Sequence, residues 1–326
     1  MSSKKIFITG ASGCIGHYIV EALIQETKHE LFLLVRNPDK LKFDLKARPG
    51  IHILLGDLHE IDKFSDLLSK EINIAILIAT AWGGSAESYD VNVVKTLALL
   101  EMLNPDICER VIYFSTASIL DPHNQLLPQA LELGTDYIRT KYQCFSSLSK
   151  LALAPKIVTV FPTLVFGGDQ NKPYSHISAG LPDVVKWVNL IRWFKTDGSL
   201  HFIHARDIAQ IVTYLVDCPE TKISEFRSPD NSVSQMVLGN SMMSADRVVE
   251  EICTYFQKKI YFRIPLSIAL ANFFIKVFRV QMDEWSYFSL SYRHFIYQNP
   301  VTPSSFGLPN YCSTIAELMK KTLNQV

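Results

Sequence analysis

The feature that most constrains this chain is a strand that runs into a glycine loop and then a helix: Lys4-Lys5-Ile6-Phe7-Ile8-Thr9-Gly10-Ala11-Ser12-Gly13-Cys14-Ile15-Gly16. Gly10 allows a tight turn, Gly13 removes the side chain that would block phosphates, and Gly16 lets the helix pack close to the strand. The helix that starts near Cys14 turns its free N–H groups and positive dipole end toward an anion. The segment therefore reads as the seat of a dinucleotide pyrophosphate, with Gly10, Ser12, Gly13, Cys14, Ile15 and Gly16 as its contacts.

Strand and helix signals alternate through the first half. Strands are expected at Ile6–Thr9, Glu30–Val35, Ile51–Leu55, Ile72–Ala79, Arg110–Ser115 and Lys156–Phe161, with helices at Cys14–Glu26, Ile61–Lys70, Ser88–Leu103 and Thr135–Leu153. Repeated β-α units with apolar strands predict an α/β fold, a Rossmann doubly wound parallel sheet with helices on both faces. After about residue 165 aromatics become dense and Gly-, Pro- and Asn-rich loops intervene. The expected organisation is a dinucleotide-binding domain over 1–165 and a smaller C-terminal substrate-binding portion over 166–326, with 200–217 returning to the main sheet. Eight aromatics there, Phe273, Phe274, Phe278, Trp285, Tyr287, Phe288, Tyr292 and Phe295, read either as core or as the wall of an apolar pocket.

With 326 residues, 48% of them hydrophobic and 20% charged, the composition is that of a globular chain, and disorder is excluded. A net charge of +0 without a basic block gives no reason to expect nucleic acid. The six cysteines lack CxxC spacing, so reduced thiols are expected and neither a disulfide framework nor a metal site. A core strand at the N-terminus leaves no signal peptide, and a cytoplasmic location is expected. The apolar stretch Pro265–Val280 is interrupted by Lys276 and Arg279 and is shorter than the roughly 20 residues of a membrane span. It reads as a buried or lid helix, without stable membrane insertion.

About 20 residues past the last glycine, such sites carry an acid for the ribose 2′-hydroxyl of NAD or an arginine that accommodates the 2′-phosphate of NADP. Here the position is Arg36, and Leu33-Leu34-Val35 before it offers no acid. NADP is the expected cofactor, ahead of NAD. The long helix begins Asp136-Tyr137-Ile138-Arg139-Thr140-Lys141, which sets Tyr137 and Lys141 on one face. A nearby ammonium is expected to favour the phenolate and bring the phenol toward the working range. A hydroxyl from Phe114-Ser115-Thr116-Ala117-Ser118, at the carboxyl end of the fifth strand, is placed to orient a carbonyl or alcohol.

Together these residues resemble the extended short-chain dehydrogenase/reductase family, in its NAD(P)-dependent epimerase/dehydratase group, along nearly the whole chain. Thr9–Gly16 is similar to TGxxGxxG, and Gly56-Asp57-Leu58 to the family's GDL turn, which implies adenine contacts by Asp57 and Leu58. Ala79, Thr80 and Ala81 fall where the fourth strand end lines the cofactor, and Pro162 and Val165 fall in the cofactor-binding stretch after the sixth strand. Asn92-Val93-Val94-Lys95-Thr96 resembles NVxGT, and Ser115–Ile119 resembles SSxxVYG. Phe202–Ala209 resembles FIHVxDxA, and Phe306–Pro309 resembles LGxxP. The resemblance implies hydride transfer at a nicotinamide, with Tyr137 as acid/base, Lys141 lowering its pKa and holding the ribose, and Thr116 orienting the reacting oxygen. Trp82, Ser118 and His176 are the candidate substrate contacts.

Two positions depart from the sugar-nucleotide members. Leu164 stands where an asparagine helps to hold the sugar diphosphate, and Leu200 where an arginine pairs with it. Leucine cannot replace an arginine fork. The expected activity is therefore a reductase or dehydrogenase of a small-molecule carbonyl or alcohol. The alternatives are a nucleotide-sugar epimerase or dehydratase, and a non-catalytic dinucleotide sensor or assembly subunit. A homodimer is the expected assembly.

Overall fold

The structure is a computed structural model that describes residues 3–227, 232–279 and 281–323. Its centre is a seven-stranded parallel sheet: β1 (Lys5–Thr9), β2 (Glu30–Val35), β3 (Ile51–Leu55), β4 (Ile74–Leu77), β5 (Arg110–Phe114), β6 (Ile157–Pro162) and β7 (Ser234–Leu238). The order across the sheet is β7-β6-β5-β4-β1-β2-β3. The order reverses between β1 and β4, and in open parallel sheets a crevice forms at that point beyond the carboxyl ends of the strands. β4, β5 and β6 are buried along their whole length, as strands covered on both faces must be.

One face of the sheet is covered by α1 (Cys14–Glu26), and the other by α2 (Asp136–Leu148) and the Ser85–Met102 run. Thr135 caps α2 by accepting from the Ile138 N–H. The helix expected at Ser88–Leu103 is broken into Ser85–Tyr89, a widened π-helical turn at Asp90–Lys95, and Thr96–Met102. At that turn Thr96 Oγ1 donates to the Val91 carbonyl and Asn92 points inward. The expected fourth strand also stops early. After Leu77 the chain leaves the sheet, and the Ile78 and Ala79 N–H groups donate to Thr9 Oγ1, each at 3.2 Å.

The seventh strand was not read from sequence, and it comes from beyond residue 165. Residues 200–217 do not supply a strand to the main sheet. Phe202–His204 pairs with Leu164–Phe166 in a separate two-stranded ribbon, and α3 (Ala205–Asp217) lies beside α1 over the sheet. The strand is short and the helix strongly amphipathic, so burial against α1 decides how this segment returns. Asp207 on α3 is almost wholly buried and accepts from the Tyr311 N–H at 2.6 Å and the Cys312 N–H at 3.1 Å. It thereby ties the chain end to the domain.

The eight C-terminal aromatics divide in three. Trp285 and Phe295 line a cavity, Phe274, Phe288 and Tyr292 are half-buried, and Phe273, Phe278 and Tyr287 face solvent. Within the stretch Pro265–Val280 the helix runs Ile268–Val277 and is exposed, with only Ala271 buried and facing the cavity, so of the two expected forms, a buried helix or a lid, the buried one does not hold. Val280 lies outside the described residues.

Asp207→Ala leaves the two backbone donors unpaired. It should lower stability by about 1–3 kcal/mol in urea unfolding; an unchanged midpoint would show that the tie carries no stability.

Candidate active site

The glycine loop is shaped by close approaches on one side only. Gly10 has φ +77°, and a Cβ there would stand 2.6 Å from the Ala79 nitrogen. A Cβ on Gly16 would stand 2.1 Å from the Gly10 carbonyl oxygen, so no larger residue fits between strand and helix. Gly13 differs. It is exposed, and the nearest atom to a Cβ there is 3.5 Å away. The protein itself therefore does not require glycine at 13, and the space is left for a group from outside. Gly13 caps α1 without a side-chain hydrogen bond, and the first turn carries no acid. These are the conditions in which a helix N-terminus accepts phosphate. Burial pushes the Cys14 thiol up to about 12, so it sets no negative charge beside that seat.

The second strand end bears Arg36, which is 80% exposed, with Nε 3.6 Å from Asp57 Oδ2. Asp57 also accepts from the His59 N–H at 3.0 Å, and Leu58 is buried beneath it. Ala79, Thr80 and Ala81 are half-buried along the end of β4. Their path is set by Asn92. Its Oδ1 accepts from Thr80 Oγ1 at 3.0 Å and from the Ala81 N–H at 2.8 Å, while its Nδ2 donates to the Ala81 carbonyl at 2.9 Å and to Thr140 Oγ1 at 3.0 Å. One buried amide thus joins the cofactor side of the cleft to α2, one residue before Lys141. Pro162 is buried at the end of β6 and Val165 is half-buried in the strand that follows.

On α2, Tyr137 and Lys141 lie beneath the end of β5. Lys141 is nearly inaccessible; its Nζ donates to the Phe114 carbonyl at 2.7 Å and stands 5.0 Å from the centre of the Tyr113 ring. Burial lowers its pKa to about 8. Tyr137 moves the other way: burial pushes the phenol up to about 12, against a hydrogen bond with Thr116 that lowers it. The phenol is therefore not brought toward the working range as expected from the Tyr–Lys spacing, because desolvation is the larger effect here and the lysine is engaged by Phe114. At neutral pH Tyr137 carries its proton.

Thr116 and Ser118 face each other, with their hydroxyl oxygens 3.3 Å apart. Trp82 lies flat on the Tyr137 ring, with centroids 4.0 Å apart and planes within 12°, and His176 stacks on its other reach at 6.0 Å. The structure thus brings Thr116, Ser118, Tyr137, Lys141, Trp82 and His176 to one end of the cleft. Next to Ser118 opens a cavity of about 430 Å³. Leu164, Leu200, Leu266, Trp285, Leu290 and Phe295 form most of its apolar wall. His201 in that wall has both ring nitrogens occupied, by the Asn240 carbonyl and the Tyr297 N–H, and burial lowers its pKa, so it is neutral. The cation of the wall is Arg293, at φ +59°, with Nη1 3.4 Å from Asp197 Oδ2. Sequence reasoning passed over Arg293, since only the tertiary fold brings it across from the C-terminal portion.

Below about pH 8 both folded and unfolded chains carry the Lys141 ammonium, and its burial costs stability. Between about 8 and the ordinary 10.5 the folded chain gives up its proton first, so stability rises with pH. Lys141→Met should flatten that rise, as read by urea unfolding across this range; parallel pH profiles for the two proteins would contradict it.

The model of the NAD dependent epimerase/dehydratase family matches residues 6–225. A search of curated proteins found no match. Among solved structures, the chain is similar to a thiolation-reductase di-domain from an archaeal non-ribosomal peptide synthetase, at TM-score 0.67 and 15% identity over 100% of this chain and 76% of that one. It is also similar to the Bordetella bronchiseptica enzyme WbmG in complex with NAD, at TM-score 0.64 and 14% identity over 99% and 94% of the two chains. A third similar structure is the UDP-N-acetylglucosamine 4-epimerase from Methanobrevibacter ruminantium M1 in complex with UDP-N-acetylmuramic acid, at TM-score 0.61 and 16% identity over the whole of both chains. At these identities the structural likeness shows the fold, and the family match covers most of the chain: this protein is an enzyme of the NAD dependent epimerase/dehydratase family, of the extended short-chain dehydrogenase/reductase type.

Proposed function

We propose that the protein is an NADP-dependent reductase of a small carbonyl substrate with an apolar body. The observation that carries this reading is the cavity beside Ser118, where Leu164 and Leu200 stand in the wall together with Trp285 and Phe295. Such a wall binds hydrocarbon or aromatic surface, and Leu164 and Leu200 offer a diphosphate no hydrogen-bonding group, while Arg293, the cation of the wall, is paired with Asp197.

The dinucleotide fits the loop on the open Cβ position of Gly13 and the uncapped start of α1. Gly10, Ser12, Gly13, Cys14, Ile15 and Gly16 would hold its pyrophosphate. Arg36 would meet a 2′-phosphate, with Asp57 and Leu58 at the adenine, and Ala79, Thr80, Ala81, Pro162 and Val165 along the remaining length. When bound, the nicotinamide supplies the hydride that reduces the carbonyl carbon. Tyr137, protonated at neutral pH, donates its proton to the carbonyl oxygen as negative charge develops there. Thr116 and Ser118 orient that oxygen, and Lys141 holds the ribose. Trp82, with His176 stacked on it in turn, covers the Tyr137 ring on the open side.

A nucleotide-sugar epimerase or dehydratase is the second reading. It is favoured by Arg293 in the cavity, a cation that an anionic substrate could engage, and by the nucleotide sugar bound in the M. ruminantium relative. A protein that retains its dinucleotide through purification and converts a nucleotide sugar with no net change in absorbance at the reduced-nicotinamide band would establish that reading over the first.

Tyr137→Phe should reduce turnover by about two to four orders of magnitude and leave dinucleotide binding unchanged. Full activity in this variant would remove the phenol from the mechanism. NADPH should bind more tightly than NADH, and Arg36→Ala should weaken NADPH by about tenfold or more with NADH unaffected. Tighter NADH binding by the unaltered protein would reverse the cofactor assignment.

A further inference from the structure

Two segments remote in sequence form a surface whose chemistry the site does not use. From Ile252 to Met282 the chain carries Lys258, Lys259, Arg263, Lys276 and Arg279 and no Asp or Glu. From Val184 to Thr196 it carries Lys186, Arg192 and Lys195, again without an acid. In a protein of net charge +0 these are two cation-only stretches. The fold joins them. Ile264 and Pro265 pair with Phe194 and Lys195, the Phe194 and Phe274 rings meet at 5.6 Å, and Arg192 Nη1 donates to the Lys259 carbonyl at 3.2 Å. On the joined surface Trp187, Trp193, Tyr261, Phe262, Phe273 and Phe278 are exposed, Phe262 to 68% and Tyr261 to 76%. Arg263 is taken up by Asp246 and Glu250. Lys195, Lys258, Lys259, Lys276 and Arg279 are exposed, with no ion pair to any of them among the described residues.

We propose that this surface docks the protein on an anionic lipid bilayer, with the helix α4 (Ile268–Val277) lying in the plane of the interface. Aromatic and aliphatic side chains beside unpaired Lys and Arg are the composition that partitions into the headgroup region of acidic membranes. α4 has ten residues and a length of about 15 Å. Against a hydrocarbon core of about 30 Å it cannot span. No helix of the described residues is long and apolar enough to cross a membrane. A second copy of the chain is the poorer occupant, because a twofold interface would set the unpaired cations Lys195, Lys258, Lys259, Lys276 and Arg279 against their own copies. The docked side would also lie over the cavity, since Ala271 on α4 and Leu266 before it belong to its wall.

The test is flotation of the full chain with vesicles of phosphatidylcholine alone or with about one-third phosphatidylglycerol. Binding is expected to the anionic vesicles, to fall as salt rises, and to be lost in Phe273→Ser/Phe278→Ser. Lys276→Gln/Arg279→Gln should weaken partitioning about thirtyfold, from two charges near the surface. Thermal melting and NADPH binding check that both variants remain folded, and the charge variant keeps the test open if the phenylalanine variant does not. Failure of the unaltered protein to float with anionic vesicles would overturn the proposal, as would flotation that neither variant reduces. A dimer by sedimentation that Phe273→Ser/Phe278→Ser converts to monomer, with no vesicle binding, would assign the surface to self-association instead.

Discussion

The approach of α1 to β1 governs the arrangement of this molecule. The Gly16 position sits so close to the Gly10 carbonyl that a single methyl group would force the helix away from the strand. Because the helix is that close, its first turn stands over the carboxyl end of the sheet, and the reversal of strand order between β1 and β4 opens at the same place. Anion seat and crevice are thus consequences of one contact. α3 then packs beside α1, and through Asp207 the chain end is drawn onto the same layer.

The chemistry of the site depends on burial more than on pairwise charge. Tyr137 and Lys141 are neighbours on one helical face, yet the phenol is raised and the ammonium lowered, since both lose water. Opposite shifts of this kind favour the neutral form of each group. A proton on the phenol suits a carbonyl oxygen that gains negative charge. A lysine held on the Phe114 carbonyl has its ammonium fixed in one direction.

The parallel sheet could be read from the chain because strands covered on both faces are continuous apolar runs, as in Ile74–Leu77 and Arg110–Phe114. β7 escaped notice because Ser234 and Gln235 interrupt the apolar pattern and the segment follows a loop-rich stretch. The glycine loop, Tyr137 and Lys141 were legible through local spacing, which a helix or turn converts directly into geometry. Arg293, the stack of Trp82 on Tyr137 and the raised phenol were not, since each arises from elements that meet only after folding. The sequence leaves α4 open between a buried helix and a lid for a related reason. Its composition is that of a core helix, and only the placement of its neighbours shows which side remains uncovered.

The widened turn at Asp90–Lys95 bears on how this scaffold tolerates length change. A π-helical turn holds one more residue than the α-helical turn it replaces. Deleting a residue there would restore regular backbone hydrogen bonding and keep the flanking segments in phase, but it would redraw the positions of the residues inside the turn itself. Asn92 would then leave Thr80, Ala81 and Thr140 at once. The irregular turn is thus a spacer whose length is tied to the position of α2, and the run before β5 is a segment in which a shorter, more regular helix would be a worse one.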